Sequence, residues 1–451
     1  MLLSILAFLG ITLVSLIIYI RVFRHQKGAI AFFHPFANDG GGGERVLFFM
    51  IKAIQESLGE KANITVFTGK RGDETPEDIL QKAYDVFGIK LHHPVNFIFI
   101  KTTFLCEHRH FPFLTLFLQS VFSMFTAFEC LLRMRPDYVI DSMGYAFTYP
   151  VFKLVGGCRV GCYTHYPTIS MDMITVVKTG QIQYNNRPLF ARLRLFVNLK
   201  LVYYKTFARL YRWVSYCCDH VMVNSSWTES HVEQLWGRVD RKIHKVFPPC
   251  DTAAFEALPF HNRSNTIVSV GQFRPEKNHR LILDAFAAFL EDTRVAKDTK
   301  LVLIGSCRAE ADHELVSVLK SRAKTLGISD NLEILVNIPF SELLKRLGEA
   351  KVGIHAMVRE HFGIAVVEYL AAGLYTIAHN SGGPKQDIVK PGCGQLAESE
   401  EEYAEFIRMG IEEECVNYIR SQGREHASMF SQEAFVERVK DLYAEDNFFN
   451  L

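Results

Sequence analysis

The run VGIHAMVREHFGIAVVEYLAAGLYTIA, residues 352–378, reads as strand, loop, helix and strand in immediate succession. Val352 to His355 and Thr376 to Ala378 are short apolar runs of β-type residues. Between them lies a helix-length stretch in which Val367, Leu370 and Ala371 fall on one face, able to cover a sheet. Two strands joined through a helix make a parallel pair with a right-handed crossover. The same alternation extends outward in both directions. Candidate strands lie at 266–270, 301–304 and 332–335, and an earlier series lies at 29–33, 64–67, 97–100, 138–140 and 221–223. The second series starts afresh after Phe247-Pro248-Pro249 and the polar stretch His261 to Asn265. A chain of 451 residues also exceeds one ordinary core. The fold class is therefore α/β, with two Rossmann-like doubly wound domains at 28–250 and 251–430 and a C-terminal helix at 431–451.

Residues 1–27 form a membrane anchor with a basic flank. Leu2 to Ile20 is uncharged over 19 residues, enough for a helix to cross the hydrocarbon core of a bilayer. Arg21, Arg24 and Lys27 follow at once, and such residues stay on the cytoplasmic side. A single-pass protein with both domains in the cytosol is expected. Ten cysteines without a CxxC pair fit reduced thiols in that compartment, and three N-x-S/T triplets, at Asn63, Asn224 and Asn262, are expected to stay unmodified there. A second apolar stretch, Phe111 to Phe128, is expected to be a buried or membrane-dipping helix, since a second span would divide the first sheet across the bilayer. Met173 to Cys218 carries Lys178, Arg187, Arg192, Arg194, Lys200, Lys205, Arg209 and Arg212 and no acid. It reads either as a solvated basic face or as a surface drawn to anionic lipid headgroups. A net charge of +1 argues against nucleic acid as a partner.

The chemistry concentrates in the loop and helix of the opening stretch. Glu360 in the loop and Glu368 on the helix lie ~12 Å apart at most by helical rise, a span that suits gripping hydroxyls at both ends of a sugar nucleotide. Gly363 lets a ligand approach the backbone, and the amides at the helix start, from Ile364 on, can hold a diphosphate. Spacing alone leaves a plainer reading open, in which one glutamate answers the helix dipole and the other is a surface residue. No D-x-D triplet occurs, which disfavours a metal-bridged donor site, and the glycine spacing does not match a dinucleotide fingerprint.

Glu360-His361-Phe362-Gly363-Ile364-Ala365-Val366-Val367-Glu368 resembles the E-x7-E motif of glycosyltransferase family 4, retaining enzymes with the two-Rossmann-domain GT-B architecture, whose domains face a cleft. Three further stretches resemble that family in the expected order. Phe33-His34-Pro35-Phe36 leads into the glycines 40–43, with Gly42 and Gly43 beside the donor phosphates. Gly271 to Asn278 carries Lys277. Asn380-Ser381-Gly382-Gly383-Pro384 resembles the glycine-rich loop beside the donor sugar. The resemblance implies that Glu360 contacts the transferred hexose, Glu368 the ribose, and Lys277 the diphosphate leaving group. The arginine that relatives carry directly after the first glycine is Gln272 here, and Arg274 is the candidate to replace it.

Within the family, His34 to Arg45, Tyr163 to Ser170, Phe273 to Lys277 and Glu360 to Glu368 resemble the branch that moves mannose from GDP-mannose to a dolichol-diphosphate oligosaccharide. That resemblance implies α-1,2 transfer of the fourth and fifth mannoses at the cytosolic face of the endoplasmic reticulum membrane, without a cofactor or metal. Other transferases of the pathway are possible partners. It places His165 near the acceptor, a residue that otherwise reads as packing beside Tyr and Pro. Two alternatives stand beside it: a transferase with another nucleotide sugar or lipid acceptor, and a non-catalytic membrane scaffold.

Overall fold

The computed structural model describes residues 2–170, 173, 194–237, 243–292, 298–412, 416–445 and 448–449. Two compact units emerge. The first takes in Met1–Asn224, Thr228–Val246 and Val436–Leu451, the second Ser225–Trp227 and Phe247–Phe435.

The first unit is built on seven parallel strands: β1 (His25–Phe33), β2 (Asn63–Thr68), β3 (Asn96–Phe99), β4 (Arg135–Asp141), β5 (Arg159–Thr164), β6 (His220–Val223) and β7 (Ile243–Lys245). Their spatial order is β3-β2-β1-β4-β5-β6-β7, with Ile30 flanked by Ile64 and Tyr138. Ala29 to Phe33 are all buried, as a strand covered on both faces requires. Its helices include α1 (Leu2–Phe23), α2 (Gly42–Leu58), α3 (Pro76–Phe87), α4 (Thr115–Arg133), α5 (Arg194–Ser215) and α6 (Ser226–Trp236), the last opening on two residues that group with the second unit. The N-terminal helix continues past the expected end at Ile20 to Phe23. There Arg21 donates from Nε to the Val155 carbonyl at 3.0 Å and from Nη2 to the Leu154 carbonyl at 2.6 Å, which ties the helix end to the turn before β5.

The second apolar stretch is helix α4, beginning four residues later than expected. It is long and apolar enough to cross a membrane, with one third of it buried. The buried side carries Ser120, Ser123, Thr126, Ala127, Cys130 and Leu131 against the core. Glu129 on the same helix accepts from the Thr102 amide at 2.9 Å and its hydroxyl at 2.7 Å. Phe125 and the preceding Phe113 and Leu114 are exposed. Of the acid-free basic segment, Lys178, Arg187 and Arg192 lie outside the described residues. Its C-terminal half forms α5, on which Leu199, Val202 and Trp213 are exposed.

The second unit repeats the plan with six parallel strands: β8 (Ser264–Val270), β9 (Lys300–Gly305), β10 (Leu332–Val336), β11 (Ala350–His355), β12 (Tyr375–His379) and β13 (Gln395–Ala397), in the order β10-β9-β8-β11-β12-β13. Helices α7 (Thr252–Glu256), α8 (His279–Glu291), α9 (Glu310–Thr325), α10 (Phe340–Glu349), α11 (Ile364–Ala371), α12 (Glu400–Glu412) and α13 (Val416–Ala427) complete it, and α14 (Gln432–Glu445) follows. Both sheets reverse strand order once, between β1 and β4 and between β8 and β11. In open α/β sheets, ligands bind beyond the carboxyl ends of the strands at such a point.

Two expected boundaries move. The chain passes from the first unit to the second after Val246 rather than after residue 250, and the expected C-terminal helix is α14, whose residues from Val436 on group with the first unit. In that unit the Phe448 ring lies 4.4 Å from that of His220 and is fully buried. The nine described cysteines are unbridged, and eight of them are buried.

Candidate active site

At the reversal point of the second sheet, β11 delivers His355 and β8 leads through Gly271 to Lys277. The loop after β11 brings Glu360 to both. Its Oε2 accepts from Lys277 Nζ at 2.5 Å and from His355 Nε2 at 3.2 Å, while Oε1 accepts from the His361 amide at 3.1 Å. Burial by itself would raise the Glu360 carboxyl. The His355 hydrogen bond and the Lys277 charge outweigh it and hold the group far below the usual carboxylate range. Lys277 Nζ also lies 3.2 Å from the Met357 thioether. His279 nearby is buried and shifted down to about 4, first by burial and then by its neighbours His355 and Lys277, so it is neutral at physiological pH.

The loop is shaped by its glycines. Gly363, with φ of 110°, ends it, and α11 starts at Ile364. The first amides of that helix have no preceding carbonyl in the helix to bind and point toward the loop side. Gly382, at φ 66°, packs so closely that a Cβ there would collide with the Glu360 backbone. A Cβ on Gly383 would come within 2.6 Å of the Phe362 Cα. The Gly383 amide donates to the Glu360 carbonyl at 2.8 Å, and the Ser381 hydroxyl accepts from the Arg359 amide at 2.7 Å. Thus the loop after β12 braces the loop that carries Glu360. Phe362, a candidate donor-binding residue of the same loop, is buried with its ring 5.7 Å from Phe247 and 5.6 Å from Phe430. Tyr369 reaches back from α11 to accept from the Val270 amide at 2.5 Å, and Glu368, one residue before it, is half-buried.

The corresponding end of the first sheet holds a buried polar chain. Ser142, just past β4, lies with its Oγ 2.8 Å from His34 Nδ1, and His34 Nε2 lies 3.2 Å from Glu44 Oε1. Glu44 Oε2 accepts from the Gly41 amide at 2.6 Å, which closes the first turn of α2 where Gly42 and Gly43 sit. Burial opposes ionisation of Glu44, yet the hydrogen bond from His34 lowers its pKa overall. Neighbouring Asp141 is raised to about 6 by complete burial, despite bonds from the Met143 and Gly144 amides and the Tyr149 hydroxyl. His165, after β5, places Nε2 3.1 Å from the Ser142 carbonyl, and a Cβ on Gly43 would lie 3.9 Å from that nitrogen.

With this geometry in hand, comparison with known proteins is decisive. Residues 27–236 match the family described as ALG11 mannosyltransferase N-terminus, and residues 251–435 match glycosyl transferases group 1. The human protein named GDP-Man:Man(3)GlcNAc(2)-PP-Dol alpha-1,2-mannosyltransferase is 47% identical over 418 residues, covering 90% of this chain and 84% of its own. Its namesake in Dictyostelium discoideum is 40% identical over 420 residues, covering 90% and 82%. This chain belongs to the ALG11 mannosyltransferase family. It is accordingly a glycosyltransferase, and solved structures bear out the fold. Sucrose-phosphate synthase from Thermosynechococcus elongatus superposes with a TM-score of 0.66 at 16% identity, covering 93% of this chain and 99% of that one. Anabaena Alr3699/HepE in complex with UDP-glucose gives 0.63 at 15%, covering 92% and 99%.

In this ALG11 family member, Glu360, Lys277, Gly363, Ile364, Gly382 and Gly383 come together in the second unit, while Gly42, Gly43 and His165 come together in the first. Arg274 stands apart. Its side chain is 47% exposed and 4.0 Å from Glu276, so none of the described ion pairs directs it at Glu360. His355 and the Ser142–His34–Glu44 chain were not singled out as site residues by sequence. His355 reads there as the end of an apolar strand. Gly382→Ala is expected to lower the melting temperature by several degrees, as a strained position losing about 2–4 kcal/mol should, and to lose most activity with it. Calorimetry beside an initial-rate assay checks this.

Proposed function

We propose that the protein transfers mannose from GDP-mannose to Man3GlcNAc2-diphosphate-dolichol, forming α-1,2 linkages and adding the fourth and fifth mannoses. The relatives' shared name supports the substrates, and the observation that carries the chemistry is the Lys277–Glu360 pair at the reversal point of the second sheet. As the C1–phosphate bond breaks, negative charge grows on the departing diphosphate. Lys277 and the amides of Ile364 and Ala365 answer it. Glu360 accepts hydrogen bonds from the mannose hydroxyls and Glu368 from the ribose. The acceptor hydroxyl attacks C1 from the face that GDP leaves. Its proton passes to the departing phosphate oxygen, and the configuration at C1 is retained. His165 takes the acceptor side. Neither a metal nor a cofactor enters this scheme, in which Lys277 and the helix-start amides face the diphosphate.

The proposed setting is the endoplasmic reticulum membrane, spanned once by α1, with both units in the cytosol. The exposed apolar residues of α4 and α5, beside Lys200, Lys205 and Arg209, suit a first unit resting on lipid headgroups. The test uses purified full-length protein, labelled GDP-mannose and the trimannosyl lipid acceptor, with EDTA in parallel. Two added mannoses, both removed by an α-1,2-specific mannosidase and both insensitive to EDTA, are expected. Preference for a UDP-sugar would overturn the donor, and loss with EDTA restored by manganese would overturn the metal-free scheme.

A further inference from the structure

Glu360 carries a duty that Lys277 cannot discharge alone. In the structure the Lys277 ammonium is balanced by Glu360 at 2.5 Å, and its other close partner is the weakly accepting Met357 sulfur at 3.2 Å. The proposed function, on which this inference rests, asks the same ammonium to turn to the donor diphosphate. A flexible four-carbon side chain can make that move. The glutamate it leaves has only 13% of its side chain exposed, and a buried carboxylate losing its counter-charge would be driven to swing away or take up a proton. His355 is placed to prevent both. It sits at the end of a central parallel strand, hydrogen-bond register pairs it with Ala378 on β12, and its own carbonyl accepts from the buried Tyr403 hydroxyl at 3.0 Å. Its ring is 4% exposed, with Nε2 3.2 Å from the same Glu360 oxygen that Lys277 holds.

We propose that His355 is a positioning residue for transfer: it keeps the Glu360 carboxylate aimed at the donor sugar while Lys277 is engaged by the diphosphate. The rigid donor stays and the mobile one departs. Two donors on one oxygen thus divide the work, one fixing geometry and one supplying movable charge. GDP, which has no hexose, should not sense the difference, whereas the bound sugar in the transition state should.

The test compares wild type with His355→Ala and His355→Gln in the full-length protein, measuring GDP affinity by calorimetry, KM and kcat for the nucleotide sugar, and melting temperature. His355→Ala is expected to lower kcat about 30-fold with GDP affinity within twofold of wild type. His355→Gln, which keeps an N–H donor, is expected to recover most of kcat. Parallel losses of GDP affinity and kcat would overturn the proposal, as would a glutamine variant no better than alanine. A wild-type protein that ignores GDP-mannose would refute the donor assignment instead. The same comparison, run with the nucleotide sugar it does turn over, would still decide the role of His355.

Discussion

Glu360→Gln is expected to reduce mannosyl transfer by about a thousandfold in a protein that remains folded, an effect at the upper end for removal of one preorganised polar group. The substitution preserves volume and an acceptor oxygen, so the loop after β11, braced by the Gly383 amide and by Ser381, should keep its course. What disappears is the charge. Lys277 and His355 then face a neutral amide whose NH2 group cannot accept from either of them, and the hydroxyls of the sugar meet a weaker acceptor. Near-normal turnover in a variant with native circular dichroism would remove Glu360 from the mechanism. The same variant gives a pH test. The folded carboxyl ionises far below its ordinary value of 4.5, so its contribution to stability is complete above about pH 4.5 and is lost as pH falls below that. The melting-temperature advantage of wild type over Glu360→Gln should therefore be steady near neutrality and shrink in acid. An advantage that instead grew in acid would mean the carboxylate is not held by its neighbours.

The parts of this site that sequence discloses are those whose chemistry is local. Glu360, Gly363 and Glu368 stand in one unbroken strand–loop–helix stretch, and Lys277 follows its strand by seven residues, so proximity along the chain stands in for proximity in space. His355 is different. Its importance depends on a side chain five residues away folding back over the strand end, and a histidine at the edge of an apolar run gives no sign of that. The chain from Ser142 through His34 to Glu44 likewise joins residues 108 positions apart. Strand legibility follows the same logic. Ala29 to Phe33 is a continuous apolar run, whereas β7 and β13 are three residues long and offer no periodicity to read. In β5 a glycine interrupts the pattern, and the reason lies 287 positions on: a Cβ at Gly161 would come 3.3 Å from the Phe448 ring. That contact also explains why the C-terminal segment, which reads as an appended helix, is part of the first unit's core.

Lys277→Met should bring the second large loss, about a hundredfold to a thousandfold in kcat/KM, with GDP binding weakened as well. Methionine keeps the unbranched stem that packs beside Gly271, so packing is largely retained and the ammonium alone is removed. Two consequences separate this from a general lesion. Because Lys277 is proposed to answer the diphosphate, affinity for GDP must fall together with turnover, unlike in the His355 variants. Because Glu360 is the ion-pair partner, removing the lysine also leaves a buried carboxylate short of charge, at a cost of about 1–3 kcal/mol in stability. Adding Glu360→Gln to Lys277→Met removes that uncompensated charge, so the double variant should be no less stable than Lys277→Met by itself. The two stability losses would then be markedly less than additive, as expected for residues in direct contact. Denaturant melts of the four proteins measure this coupling. Additive losses would show that the 2.5 Å pair does not exist in the folded enzyme in solution. A variant that lost only acceptor affinity, with GDP binding intact, would move Lys277 away from the phosphates altogether.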